Sequence, residues 1–281
     1  MLRFLSRWSV LLAMPFAMLA MSNAPAQASP VRFPATCQDV KTDLPHAPDG
    51  TYLLYSHGNL FTVYCHDMAG TPGEYISLVE TGPNQNFSQY TVGGAAVGTN
   101  VRTAYTKLRV NPATLTVGIG DMTFATSTGS LTQGSNTVTS MLYGTAASCI
   151  GPGDTSGIGN IDLSHTAFRL AGTFAVGGFE AAGSADISSN GQVASLSGGG
   201  FCGEIAPSLY DPYNPTPGLY DLPLSCARNG VVRRSHQLCL HIPDAVALTE
   251  QVARHGSTTA TTVRYAGRQL AELGRYGQVR S

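Results

Sequence analysis

Apolar and polar positions alternate differently in three parts of the chain. Residues 8–21 are apolar apart from Ser9 and Pro15, and Arg3 and Arg7 precede them. From Cys37 onward the pattern breaks into short runs between turn residues. Thr36 is placed to cap a short helix over 37–44, which Pro45 ends. After the Asp49-Gly50 turn, 51–55 and 60–65 read as strands joined by Ser56-His57-Gly58-Asn59. Residues 75–79, 107–110, 114–119 and 122–125 continue with β-branched or alternating character. Residues 185–189 and 192–196 flank Asn190-Gly191, the strongest hairpin signal in the chain, while 151–159 reads as a loop. The last part differs. Residues 245–254 and 263–273 set apolar side chains at helical spacing, as in Val263, Ala266, Leu270 and Leu273. The expected class is mainly β, a β-rich α+β fold. It comprises an antiparallel sheet domain with one short N-terminal helix and a partly helical C-terminal tail.

The first apolar run reads as an address. It is too short and too broken for a membrane span, and it leads into small residues ending in Ala26-Gln27-Ala28. Cleavage is expected between Ala28 and Ser29, making 1–28 a signal peptide and 29–36 a lead. No Cys stands in a lipid-anchoring position after the run, and no membrane span is expected once the signal is removed. The expected location is extracellular, or periplasmic in a Gram-negative cell. Only 12% of residues are charged and the formal net charge is −1, so nucleic acid is not an expected partner. A hydrophobic share of 43% separates the chain from disordered sequences.

Charge divides the chain beyond the lead. From 37 to 205, twelve acidic residues face five basic ones, net −7; from 206 to 281, five acids face eight Arg, net +3. Prolines 207, 212, 215, 217 and 223 fall between. The expected organisation is a domain over 37–207, a Pro/Tyr-rich linker over 208–223 and an Arg-rich, partly helical tail over 224–281. On that division, removing everything after Pro207 leaves a soluble core.

The residues that could carry catalysis do not assemble into a known pattern. His-Glu-x-x-His is absent; the nearest His pair, His236 and His241, has no Glu beside it. The four His of the domain, His46, His57, His66 and His165, fall in expected turns or strand ends. The Gly-x-Ser-x-Gly elbow is absent too. Gly153-Asp154 and Asn160-Ile161-Asp162 offer oxygens to a cation, but Asp and Asn also favour turns on their own account. Gly198-Gly199-Gly200 lacks the Lys and Ser/Thr of a phosphate loop. No catalytic, cofactor-binding or metal-binding residue is assigned, and no cofactor is expected. Asn86-Phe87-Ser88 forms a glycosylation sequon. Cys37, Cys65, Cys149, Cys202, Cys226 and Cys239 read as a disulfide framework in an exported chain without a CxxC pair. Spacing leaves all 15 pairings open.

One constellation is specific. Cys37-Gln38-Asp39-Val40-Lys41, Pro45, Asp49-Gly50-Thr51-Tyr52 and Phe61-Thr62-Val63-Tyr64-Cys65-His66-Asp67-Met68 closely resemble the opening of the GON domain. They are also similar, more distantly, to the opening of fibrinogen-like domains. Glu74-Tyr75-Ile76-Ser77-Leu78 and Asn86-Phe87-Ser88-Gln89-Tyr90 follow the GON pattern rather than the fibrinogen-like one. Lys107-Leu108-Arg109-Val110, Asp121-Met122-Thr123-Phe124-Ala125, Ile161-Asp162-Leu163 and Gly200-Phe201-Cys202-Gly203 complete the series. The resemblance runs over 37–207.

GON domains are best known at the C-terminus of certain secreted ADAMTS-type metalloproteases, where the zinc protease is a separate module. The resemblance implies a Cys37–Cys65 bridge. Ile205 stands where animal members tend to place a Cys, and Cys149 lacks a close upstream partner. These losses fit one missing bridge and a Cys149–Cys202 pair. Cys226 and Cys239 would then close a small loop around Asn229-Gly230. His66 is inserted where the family pattern runs Val-Tyr-Cys-Asp-Met. Lys107 and Arg109 share one strand face and are expected to pair with acids such as Asp121.

A signature made of turn and packing residues specifies a fold before a reaction. The leading expectation is a secreted, noncatalytic module that binds an extracellular protein or glycan. The alternatives are an accessory to a zinc metalloprotease acting in trans, and a hydrolase with an unfamiliar site.

Overall fold

The computed structural model describes residues 33–56, 59–94, 96–207 and 221–227, and the backbone of 237–239. Residues 33–281 form one unit. The leader with its cut between Ala28 and Ser29, the His57-Gly58 connection, residues 208–220 and both expected tail helices lie outside the described residues. Among the described residues, no helix is long and apolar enough to cross a membrane.

The helix spans Cys37–Asp43. Thr36 accepts the Asp39 N–H at 3.0 Å, and the Asp39 carboxylate accepts the Thr36 N–H at 3.1 Å. This reciprocal cap satisfies two donors that seven residues of helix cannot satisfy alone. Cys37 and Val40 point into the core, and a Cys37–Cys65 disulfide ties the helix to the adjoining sheet.

That sheet runs in the order Gly50–Ser56, Asn59–His66, Gly73–Ser77, Lys107–Asn111, Thr116–Gly118, Asp221–Cys226, Phe168–Leu170. Gln237–Cys239 pairs in parallel with Asn59–His66. A second sheet runs Ala175–Phe179, Cys202–Ala206, Ala146–Ser148, Phe87–Thr91, Gly157–Asp162, Val193–Gly199, Ala182–Ile187. Val101–Tyr105 joins it against Phe87–Thr91 and carries Ala125–Thr128 on its far side. Its ladders are antiparallel except that between Phe87–Thr91 and Ala146–Ser148. A small third sheet pairs Asn136–Val138, Leu131–Gln133 and Val97–Gly98. Leu54, Phe61, Val63, Ile76, Leu108, Val110 and Val117 from the first sheet share one core with Ala146, Ile161, Leu196 and Ile205 from the second. Among the described residues the fold is mostly β with one helix, in line with the sequence.

Several expected boundaries move. Residues 122–125 read as a strand, yet Asp121 accepts the Thr123 N–H at 2.9 Å and the chain turns, so the strand starts only at Ala125. Residues 151–159 read as a loop because of their glycines, yet Gly157–Asp162 is a central strand. A Cβ at Gly157 would collide with the carbonyl oxygens of Ala147 and Gly198. Glycine here marks a close backbone approach rather than a turn. The division at 208–223 and 224–281 also fails at one point. Asp221–Cys226 is a strand between Thr116–Gly118 and Phe168–Leu170, with Leu222 and Leu224 buried, so it belongs to the domain. Its side chains alternate between buried and exposed, and the Pro223 backbone faces Ala171, one residue past the last rung with Phe168–Leu170, so its missing N–H breaks no rung of that ladder.

Cys149–Cys202 is bridged as the resemblance implies. Cys226 is also disulfide-bonded; the expected partner, Cys239, has its side chain outside the described residues.

The buried Asn86 holds the crossing between the sheets. Its Nδ2 donates to Glu80 O and Asp162 O, both at 2.7 Å. Its Oδ1 accepts the Tyr143 hydroxyl at 2.6 Å and the Asp162 N–H at 2.9 Å. Burial first, and the Asp162 charge second, push the Tyr143 phenol well above its ordinary pKa, so it stays a donor. The sequon is therefore occupied by the fold itself: the Asn86 amide is fully buried, and a glycan on it would exclude this structure.

This packing makes two outcomes testable. Asn86→Ala orphans two carbonyls, an N–H and a phenol, at about 1–3 kcal/mol each where no water enters, so urea unfolding should show a loss of about 3 kcal/mol or more. Truncation after Pro207 should give a chain without a cooperative thermal transition, because Leu222 and Leu224 leave the core. A transition matching the full chain would show that Asp221–Cys226 is dispensable.

Candidate functional site

Alternation along the first sheet puts its apolar side chains inward and a second set outward. Lys107–Asn111 buries Leu108 and Val110 and turns Lys107 and Arg109 out. Tyr64, Tyr75 and Arg109 share a register row, and His66 pairs with Gly73 in the next. The outer face thus carries Tyr64, His66, Tyr75, Lys107 and Arg109 on three adjacent strands.

Phe124 comes from outside the sheet and closes this group. The chain passes from the second sheet to the first at Thr106, whose N–H donates to Phe124 O at 3.0 Å. Phe124 thereby lies against Tyr75, His66 and Tyr64 with ring centroids 4.8, 5.0 and 6.0 Å apart, all edge-to-face. The Lys107 ammonium stands 4.8 Å from the Tyr64 ring centre and 5.3 Å from that of Phe124. The Arg109 guanidinium stands 5.3 Å from the Tyr75 ring centre. Arg109 reaches Glu74 Oε2 only at 3.8 Å, lying flat across the backbone of Gly73, where any Cβ would meet the guanidinium. The expected pairing with Asp121 is not made: Asp121 accepts the Tyr75 hydroxyl at 3.2 Å instead.

His66 ends the Asn59–His66 strand, and Asp67 takes the left-handed conformation with φ 58° before the chain turns back. Asp49 organises this turn. Its carboxylate accepts the N–H groups of Met68 at 2.7 Å and Asp67 at 3.0 Å, and lies 2.8 Å from His66 Nδ1. The Met68 N–H is the strongest influence; with those of Asp67 and His66 it outweighs desolvation and holds the Asp49 carboxyl below its usual range. The Asp49 carboxylate thus orients the His66 ring through Nδ1.

The other candidate residues stay apart. Burial pushes the Asp154 carboxyl up, but hydrogen bonds from Ser148 at 2.5 Å and from Ser156 win and lower it. Asp162 is buried and accepts the Ser164 N–H, and Asn160 Oδ1 accepts the Asn86 N–H. Among the described residues no group of three His, Cys, Asp or Glu converges to hold a metal ion. The second sheet carries a separate exposed pair, Phe179 and Phe201, with centroids 5.7 Å apart beside the Cys149–Cys202 bridge. Sequence reasoning noted Phe201 only as part of a motif; its exposure follows from the turn between two second-sheet strands, which no local pattern shows.

The helix, the first three strands with the Asp49 turn, and the Asn86 crossing are the features that decide the comparison with known families. The GON domain model matches residues 34–95. No curated protein and no solved structure matches the chain. The GON-matched stretch supplies Asp49, Tyr64, His66, Gly73 and Tyr75 to the outer face. Lys107, Arg109, Asp121 and Phe124 lie beyond it and complete the face through the fold.

The Asp49 carboxylate gives a pH signature. A carboxyl with a depressed folded pKa stabilises fully above its unfolded value and loses that contribution as pH falls through the folded one. The stability gap between wild type and Asp49→Ala should be constant from about pH 7 to pH 5 and close below about pH 4, as read by urea unfolding across that range. A gap unchanged at the acid end would remove the carboxylate from the turn's energetics.

Proposed function

We propose that this protein is a secreted, noncatalytic binding module that engages an extracellular protein or glycan through the outer face of its first sheet. The observation that carries this reading is the convergence of the chain's family-like motifs on that face. Turn and packing residues alone would account for Gly50, Tyr52, Phe61 and Val63, whose side chains serve the core or the turn. They do not account for Tyr64, His66, Lys107 and Arg109, which stand at the surface in fixed positions. Ordered aromatic and cationic side chains that are already immobilised lose little entropy on binding, which suits them to recognition.

The disulfides support export, since such bridges persist in oxidising compartments. The noncatalytic part of the reading rests on the chemistry of the face. His66 has an orienting carboxylate in Asp49, and its partly exposed ring packs against Tyr64, Tyr75 and Phe124; these groups supply no activated nucleophile.

The test is binding of the mature chain to panels of extracellular glycans and matrix proteins, compared with Lys107→Glu and with Phe179→Ala. Lys107→Glu should weaken binding at least tenfold while the thermal midpoint stays within a few degrees of wild type; Phe179→Ala should bind as wild type does. The reverse pattern would move the interface to the second sheet. Chelator-sensitive cleavage of casein or gelatin by the purified chain, lost on His66→Ala, would overturn the noncatalytic reading.

A further inference from the structure

The charges on the face are not equivalent, and this narrows the ligand. Each carboxylate there is already engaged by donors of the protein itself. Asp49 holds two backbone N–H groups and His66. Asp121 holds the Tyr75 hydroxyl and the Thr123 N–H. Glu74 Oε1 holds the Cys37 N–H at 2.8 Å. The cations are the opposite case. Among the described residues Lys107 has no carboxylate within 4.0 Å, and Arg109 has only that of Glu74, at 3.8 Å. What orders them is the π-faces of Tyr64, Phe124 and Tyr75, which attract a cation without neutralising it. Lys107 and Arg109 sit at i and i+2 of one strand, about 6.6–7 Å apart along it and on the same side.

We infer that this face binds a sugar carrying a single negative group, a carboxylate or a sulfate ester, with that group between Lys107 and Arg109 and the ring against Tyr64 and His66. The inference rests on the binding role proposed above. A sugar suits the site because the partly exposed rings of Tyr64 and His66, stacked 21° from parallel with centroids 6.4 Å apart, add apolar contact for a sugar's C–H groups beside the cations that hold its anion. A single anion fits better than a polyanion because the domain from 37 to 205 has a net charge of −7. Screening confines attraction to about 8–10 Å at physiological salt, so only the local pair favours the ligand, and each further negative group meets repulsion.

An oligosaccharide array decides this, with neutral, singly carboxylated, singly sulfated and polysulfated members. It is probed with the mature chain and with Lys107→Gln, Arg109→Gln, Gly73→Ala and the control Lys41→Gln. Gly73→Ala keeps every charge but drives the guanidinium from its seat. The expected result is binding to singly charged members, weakened at least tenfold by each of the three face variants and unchanged in Lys41→Gln. The carboxylated and sulfated arms identify which anion is read. Equal binding of neutral members, or a preference for the polysulfated ones, would overturn the charge assignment while leaving the face as a binding site. Binding only to matrix proteins, with the same sensitivity to the variants, would overturn the sugar. No binding to sugars or proteins that responds to the face variants would overturn both this inference and the function above.

Discussion

The buried amide of Asn86 is the constraint from which the geometry of the face descends. A side-chain amide has two donors and an acceptor with two lone pairs, and all four are used inside the protein. Two partners are backbone groups of Asp162, at the end of a second-sheet strand; another is Glu80 O, in the segment leaving the first sheet. Asn86 itself adopts φ 51°, a conformation Asn tolerates better than most residues, and its carbonyl accepts the Tyr105 N–H at 2.9 Å. Tyr105 is the last residue of its strand before the chain turns at Thr106 into the other sheet. A buried polar group without partners would be costly, so this network permits few alternative arrangements.

From that corner the consequences run outward. Thr106 O accepts the Leu78 N–H, and Thr106 donates to Phe124 O from both its N–H and its hydroxyl. The loop bearing Phe124 is thus tied to the corner, and the Tyr75 hydroxyl ties it to the face as well, through Asp121 and Thr123. Tyr143, the phenol on Asn86, donates its N–H to Ile119 O at the start of the same loop. Phe124 is therefore placed by the core, and it in turn confines Lys107, Tyr64 and His66. The supports of this outer face thus belong to the packing between sheets.

Much of this is legible in the sequence where the cause is local. The Thr36 cap, the helix ending before Pro45, the two strands after Asp49-Gly50 and the hairpin at Asn190-Gly191 depend on neighbours within a few residues. The two described bridges come from family resemblance, since spacing leaves every pairing open. Where partners are distant the sequence misleads. Gly157 looks like a loop residue because nothing nearby reveals that Ala147 and Gly198 crowd it. Asp221–Cys226 looks like linker and tail because prolines surround it, while the two strands that flank it come from 116–118 and 168–170. Lys107 and Arg109 do share one face, but Lys107 meets aromatic rings and Arg109 reaches Glu74 and the Tyr75 ring rather than Asp121. Pattern arguments count charges and do not see that Tyr75 has already taken Asp121.

In this stretch of chain, residues that secure the core alternate with residues of the outer face. In a strand of period two, every residue that secures the core is adjacent to one that faces solvent. Val63 and Cys65 fix the strand inside; Tyr64 and His66 stand between and after them, outside. The inward set tolerates little change, because volume and register must be kept. The outward set is free to vary without loss of the fold. His66 makes the point: it ends the strand on the outer face beside Phe124, Asp67 takes up the turn and Asp49 secures it with its carboxylate, while Cys65 stays in the core. Such a scaffold can alter what it binds by exchanging residues on one side of three strands, with Asn86 and the core behind them unchanged.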